Sequence, residues 1–325
     1  MNKKIVLLGH GVGVKFTIES LLENSTLGYE VGGVITHPKE EHTHDLQMME
    51  NRKEIYGDHA YNVFKVVEDY NIPLLESRDV NSQEAVKWIE SINPGYIISI
   101  GCRNIIKQPF LEKFKKKVFN IHTTPLPKYR GAASDSWMIL NGEWGKKLYG
   151  CVHFIDTGID TGNIIAKSYY KIPDLCYPID LFKIRMNTFK SLLPETIKAL
   201  QDPSFKGLKQ NMEDATTFPR LSTPVDGIIN WNFSGEDLIR FIHAFGYPHE
   251  GACCYLEGKK INILEAEFVN TIKLHPHAKG LIFGKNSLGM YKVALKDGYL
   301  LVKKIEVNGK STQQNKIFRL GKFLK

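Results

Sequence analysis

Asn120 and His122 stand two residues apart in Phe119-Asn120-Ile121-His122, and two carboxylates follow in Asp156-Thr157-Gly158-Ile159-Asp160-Thr161-Gly162. On an extended segment, residues i and i+2 project to the same side, so the amide and the imidazole can face one reacting group. Both are donors for an oxygen that gains negative charge during acyl transfer, each worth about 3 to 4 kcal/mol when well aligned. A nearby carboxylate would orient the imidazole and keep it charged. Neither Ser134 nor Ser136 lies in a nucleophile-elbow sequence, so covalent catalysis has no good candidate. The chemistry that fits is direct attack of an external amine on a bound acyl carbon. Standing alone, the pair also fits a strand-end histidine bonded to backbone beside a turn-forming asparagine, and the two aspartates remain alternatives.

Positioning these groups requires strands. Ile5 to Leu8, Val31 to Thr36, Tyr96 to Ile100 and Val118 to His122 read as buried strands, alternating with amphipathic segments such as Lys15 to Asn24 and Ser82 to Ile92. That alternation predicts an α/β fold with a Rossmann-like, mostly parallel sheet, whose ligands bind beyond the carboxyl ends of the strands. Gly9-His10-Gly11-Val12-Gly13 departs from the dinucleotide fingerprint, whose third glycine comes one residue later, and reads as a tight strand-to-helix turn. Leu148 to Ile155 and Ile164 to Ile172 read as a hairpin, followed by a long helix, Pro178 to Gln201, kinked at Pro194. From Asp202 the chain turns polar and proline-rich. Ser234 then caps a helix, and five short strands with turns at Glu257-Gly258 and Asp297-Gly298 predict a small OB-like β-barrel. The domains expected are 1–203, a linker 204–232, and 233–325.

At 325 residues, two domains of ordinary size are expected. No stretch nears the roughly 20 apolar residues of a membrane span, and the first residues lack a signal-peptide core. The five cysteines have no paired spacing, which points to a reducing cytoplasm and against a disulfide framework or a zinc site. His42-Thr43-His44-Asp45 lies in a polar excursion from Pro38 to Gly57 and reads as solvated loop, so no metal is expected. Lysine and arginine (43) exceed aspartate and glutamate (35), which suits an anionic partner, whether nucleic acid or a phosphorylated small molecule.

The run from Phe119-Asn120-Ile121-His122-Thr123-Thr124-Pro125-Leu126-Pro127-Lys128-Tyr129-Arg130-Gly131, with Val152 to Ile164, resembles the folate-dependent formyltransferase family. The family includes glycinamide ribonucleotide transformylase, methionyl-tRNA formyltransferase and the nucleotide-sugar N-formyltransferases. The resemblance implies N10-formyltetrahydrofolate as formyl donor and a catalytic trio of Asn120, His122 and Asp160. It sets Asp156 aside as a turn residue. It also implies a pterin slot lined by the segment after the Tyr96 to Ile100 strand, Cys102, Arg103, Asn104 and Ile105, and by Asp156, Thr157 and Gly158.

Within that family, the two-domain length disfavours the purine-pathway enzyme. Residues 39 to 50 carry one lysine against Glu40, Glu41, Asp45 and Glu50, a charge that would repel RNA phosphates. Ala132-Ala133-Ser134-Asp135-Ser136-Trp137 departs from the Ala-Pro-hydrophobic continuation of the tRNA enzymes. The expected acceptor is therefore a nucleotide-linked amino sugar of surface-glycan (lipopolysaccharide or O-antigen) biosynthesis, with Met-tRNA the alternative. Lys128, Tyr129, Arg130 and Trp137 are the expected contacts to it, with Lys147 a further cation for its phosphates. Nucleic-acid and membrane partners are not expected, and a homodimer is compatible with the resemblance.

Overall fold

The computed structural model describes residues 2–42, 53 and 62–325. Of the polar excursion after Pro38, residues 43–52 and 54–57, with His44 and Asp45 among them, lie outside the described residues apart from Lys53. The chain forms two compact units whose segments interleave: Met1–Gly131, Lys147–Tyr170 and Lys183–Thr217 make the first, and Ala132–Lys146, Lys171–Phe182 and Phe218–Lys325 the second.

The first unit is built on β1 (Lys4–Gly9), β2 (Glu30–Thr36), β3 (Leu74–Glu76), β4 (Tyr96–Ile100) and β5 (Val118–His122), with the short β6 (Arg130–Gly131), then β7 (Lys147–Phe154) and β8 (Ile164–Lys171). The sheet order is β3-β2-β1-β4-β5-β7-β8. Neighbours from β3 to β5 pair parallel, and β7 runs antiparallel to β5. Ile5, Val6, Leu7 and Leu8 are all buried, the continuous apolar run that a strand covered on both faces requires.

Helices α1 (Val12–Glu23), α2 (Val63–Asp69), α3 (Gln83–Ile92) and α4 (Gln108–Lys113) fall between the strands. Asn62 and Ser82 cap α2 and α3 by accepting from Lys65 N (3.2 Å) and Ala85 N (3.2 Å). Gly9 has φ 154°, and a Cβ there would lie 1.8 Å from the Ile100 carbonyl oxygen. The glycine at this turn therefore serves close packing of β1 on β4.

A hydrophobic cluster of Val6, Leu8, Ile35, Val80, Ile97, Ile106 and Phe110 also takes Cys102 and Ile155 against its edge. It anchors both the segment after β4 and the residue that leaves β7.

Helix α5 spans Ser134–Leu140. The expected long helix is two, α6 (Pro178–Asn187) and α7 (Phe189–Leu200), with Pro194 inside α7. The interruption falls at Thr188. Its N–H (3.0 Å) and its hydroxyl (2.6 Å) both donate to the Arg185 carbonyl, a tighter turn than the α-helix.

The boundary between the units falls within β9 (Thr217–Phe218); in the second unit α8 (Thr223–Asp226) and α9 (Gly235–Ala244) precede β10 (Ala252–Leu256), β11 (Lys259–Val269), β12 (Ile282–Lys285), β13 (Tyr291–Ala294), β14 (Tyr299–Val307) and β15 (Lys310–Thr312). These last six form an antiparallel sheet, β10-β11-β14-β13-β12 with β15 on β14. Register shifts at Ile263/Glu265 and Glu265/Ala266 of β11 bend the ladder, as bulges do. The result is the curled OB-like sheet the sequence predicts, with β15 as a strand beyond the five expected. Ser234 caps α9 by accepting from Asp237 N (3.1 Å).

Candidate active site

Asn120 and His122 occupy the last turn of the pleat on β5, and the antiparallel register sets Asn120 opposite His153 and His122 opposite Cys151 on β7. The Asn120 carboxamide nitrogen lies 3.2 Å from His153 Nε2. His153 Nδ1 is 2.8 Å from the Phe154 carbonyl. A carbonyl only accepts, so Nδ1 carries a hydrogen, and Nε2 faces the carboxamide as the acceptor of its N–H. One hydrogen of the Asn120 amide is thereby engaged and the amide plane is fixed.

His122 is held on its other side. Its Nε2 is 2.7 Å from the Tyr129 carbonyl and 2.7 Å from the Thr124 hydroxyl. By the same reasoning the Nε2 hydrogen donates to Tyr129 O, and Nδ1 is left facing Asp160 Oδ2 at 3.9 Å. Burial pushes the His122 pKa below its ordinary value against the pull of the Asp160 charge, with His153 and Arg185 acting in the same direction as burial. The sequence-based expectation of an imidazole kept charged is corrected accordingly: near neutral pH His122 is neutral.

Asp160 comes from the hairpin between β7 and β8. Its Oδ2 accepts from Gly131 N at 3.1 Å, and its Oδ1 lies 3.6 Å from His153 Nε2. Burial opposes its ionisation, but the polar surroundings supplied by the His153 and His122 imidazoles and the Gly131 N–H outweigh it and hold the carboxyl well below the usual carboxylate range. The backbone of Asp160 is left-handed, φ 53°, a conformation aspartate tolerates better than most residues. Two residues on, a Cβ at Gly162 would lie 1.8 Å from the Phe154 carbonyl oxygen. The hairpin therefore closes tightly onto β7, and this delivers the carboxylate to β5.

Asp156 is a turn residue: its Oδ1 accepts from Gly158 N (3.1 Å) and from the Thr161 hydroxyl. Asp156, Thr157 and Gly158 are exposed. On the segment after β4, Arg103 donates to the Glu41 carbonyl at 2.6 Å, and Asn104 bridges Val80 N (3.3 Å) and the Arg78 carbonyl (3.0 Å). Burial raises the Cys102 thiol to about 11, so it is no nucleophile. Ile105 and Ile159 are 71% and 56% exposed, one on each of the two segments anchored by the shared cluster.

The residues expected to meet the acceptor are dispersed. Lys128 is exposed, with its ammonium 5.5 Å from the centre of the Tyr129 ring. Tyr129 itself is buried and serves His122 through its carbonyl. Arg130 is buried, its guanidinium 2.8 Å from Gln210 Oε1 and 3.3 Å from Met212 Sδ. Trp137 belongs to the second unit, where it stacks on Phe218 (4.7 Å, 26°) and donates to the Pro219 carbonyl at 3.0 Å. Lys147 sits over the exposed Tyr169, 5.1 Å from its ring centre. Glu40 and Glu41 are not free charges, since Arg78 pairs with them at 3.1 and 2.9 Å. His42 is buried, with Nε2 2.8 Å from the His37 carbonyl.

His153, only 2% exposed, was not among the residues expected to matter. The one available signal was its strand position, but its partner is set by the β5–β7 register.

Residues 3–176 match the family profile described as "Formyl transferase", and residues 222–321 match "Formyl transferase, C-terminal domain". A methionyl-tRNA formyltransferase of Clostridium tetani (strain Massachusetts / E88) is 33% identical over 241 residues, covering 74% of this chain and 76% of that protein. Among solved structures, WlaRD, a sugar 3N-formyl transferase, is 20% identical with a TM-score of 0.63, over 95% of this chain and 99% of that one. A variant of HypX from Aquifex aeolicus is 14% identical with a TM-score of 0.56 over 95% of this chain, which spans only 46% of HypX. Two family profiles in sequence and a relative 33% identical over most of both chains lead to one conclusion: the chain belongs to the formyltransferase family.

Proposed function

We propose that the chain formylates the primary amine of a nucleotide-linked amino sugar through Asn120, His122 and Asp160. The observation that carries the chemistry is the approach of the Asp160 carboxylate to a His122 whose Nε2 hydrogen is committed to Tyr129. N10-formyltetrahydrofolate supplies the formyl carbon, and Cys102, Arg103, Asn104, Ile105, Asp156, Thr157 and Gly158 are the residues that would hold it.

Asn120 has one amide hydrogen on His153 and offers the other to the carbonyl oxygen as negative charge builds there. His122, neutral and with Nδ1 bare, takes the proton that the attacking amine must lose. The imidazolium so formed is stabilised by Asp160 and by the Tyr129 carbonyl, both of which favour the charged ring. Collapse of the oxyanion breaks the bond between the formyl carbon and N10, and the His122 imidazolium returns its proton to that nitrogen as tetrahydrofolate leaves, so the ring ends neutral.

The acceptor assignment rests on Ala132 to Trp137, which departs from the tRNA-enzyme pattern, and on a basic chain that suits phosphates. Lys128 is the exposed cation for those phosphates. Buried Arg130 is unsuited to a solvent-borne phosphate. The five free thiols suit a cytoplasmic enzyme. Among the described residues no helix is long and apolar enough to cross a membrane.

A second acceptor, Met-tRNA, is favoured by the identity with the Clostridium tetani protein. Incubation with N10-formyltetrahydrofolate and a panel of amines separates the two. Release of tetrahydrofolate with nucleotide-linked amino sugars alone supports the first reading, and formylation of initiator Met-tRNA overturns it in favour of the second.

A further inference from the structure

The polar stretch between α7 and β9 contains one residue that does not behave as linker. Gln210 is 5% exposed, although Lys209 and Asn211 on either side are exposed. Its Nε2 donates to the carbonyls of Asp160 (2.8 Å) and Gly162 (2.7 Å), and its Oε1 accepts from the Arg130 guanidinium (2.8 Å). Both amide hydrogens and the amide oxygen are therefore in use.

These bonds join the two pieces of chain that meet at the carboxylate. Arg130 is anchored by its own N–H on the Thr216 carbonyl, and Gly131, next to it, donates its N–H to Asp160 Oδ2. Gln210 thus ties the backbone of the Asp160–Gly162 turn to the strand residue preceding the N–H that holds the Asp160 side chain. We propose that Gln210 is a positioning residue of the formyl-transfer site, with buried Arg130 as its support, setting the distance between Asp160 and the two imidazoles of His122 and His153.

The chemistry of the side chain fits that task. Two carbonyl oxygens converging on one atom need two hydrogens from it, and an adjacent cation needs an acceptor; a primary amide supplies all three. The left-handed backbone at Asp160 has no strong preference of its own to keep the turn in place, so the external bonds decide it. The same pairing accounts for Arg130, whose charge is held inside by Gln210 and is not presented to a ligand.

The inference rests on Asp160 being catalytic, and its test keeps the two apart. The full chain carries Gln210→Ala or, where that variant does not fold, Gln210→Met, which keeps the length and is neutral; Asp160→Asn is the reference. His122 is faced by Asp160, His153 and Arg185, and the Asp160 charge favours its protonated form. NMR titration of the His122 ring should move to lower pH in the Gln210 variants, in the direction set by Asp160→Asn. Formyl transfer should fall about 100-fold in kcat, the scale of an ångström-sized misplacement, with KM for N10-formyltetrahydrofolate little changed. A wild-type His122 titration together with wild-type kcat would overturn the proposal. A shifted titration with unaltered formyl transfer in all three variants would uphold the brace and remove the catalytic role of Asp160.

Discussion

Asn120 and His153 face each other across the antiparallel β5–β7 pair, with the carboxamide nitrogen 3.2 Å from the imidazole Nε2. The contact commits one amide hydrogen and aims the other. Asn120→Ala is expected to lower kcat by about 100- to 1000-fold, the cost of one oxyanion donor, with little change in thermal stability. His153→Ala should cost less, because it frees the amide to rotate without removing the donor. Steady-state kinetics alongside melting curves of both variants check this order.

The pH dependence follows from His122 being a base. Its pKa is below the ordinary histidine value of about 6.5, so activity should be full near neutrality and fall only at more acidic pH. Asp160 favours the charged ring, so Asp160→Asn should move the acid limb of the kcat profile further down in pH as well as lowering its plateau. A limb that moves upward contradicts the assignment.

The same shift has a sign for stability. Below about pH 6.5 the unfolded chain protonates its histidines, whereas folded His122 resists. Stability linked to His122 is therefore complete above that pH and is lost as pH falls below it. His122→Gln should flatten part of the acid decline in melting temperature. His37 and His243, whose pKa values burial also lowers, keep their share of it.

Gly162→Ala tests the hairpin closure. A Cβ 1.8 Å from the Phe154 carbonyl oxygen cannot be accommodated without moving one of the two chains, and overpacking of this kind costs about 1 to 3 kcal/mol. The variant should melt several degrees lower and lose formyl transfer, since the displaced turn carries Asp160. Unaltered melting and turnover would show the turn to be compliant.

Much of the site was legible in sequence because it depends on short-range geometry. Asn120 and His122 share a face wherever their segment is extended, and Val118–His122 is the strand the sequence predicts. His153 was not legible, because its meeting with Asn120 depends on the register of two strands whose connection contains a helix. Gln210 was hidden for a different reason. A lone amide in a polar stretch carries no periodicity, and its burial comes from the carbonyls it meets. Arg130 followed the opposite course: a charged residue beside Lys128 reads as a phosphate ligand, yet it is buried and donates to the Gln210 amide. Pro194 marks no break, because the interruption arises at Thr188 through its bonds to Arg185.

The most direct test of formyl transfer by this trio is a single-turnover reaction with N10-formyltetrahydrofolate and a nucleotide-linked amino sugar, followed by mass spectrometry of the amine. The wild-type chain should add one formyl group to the amino sugar, and His122→Ala should do so at least about 100-fold more slowly. An amino sugar left unformylated by the wild-type chain, or formylated at the same rate by His122→Ala, would contradict the account.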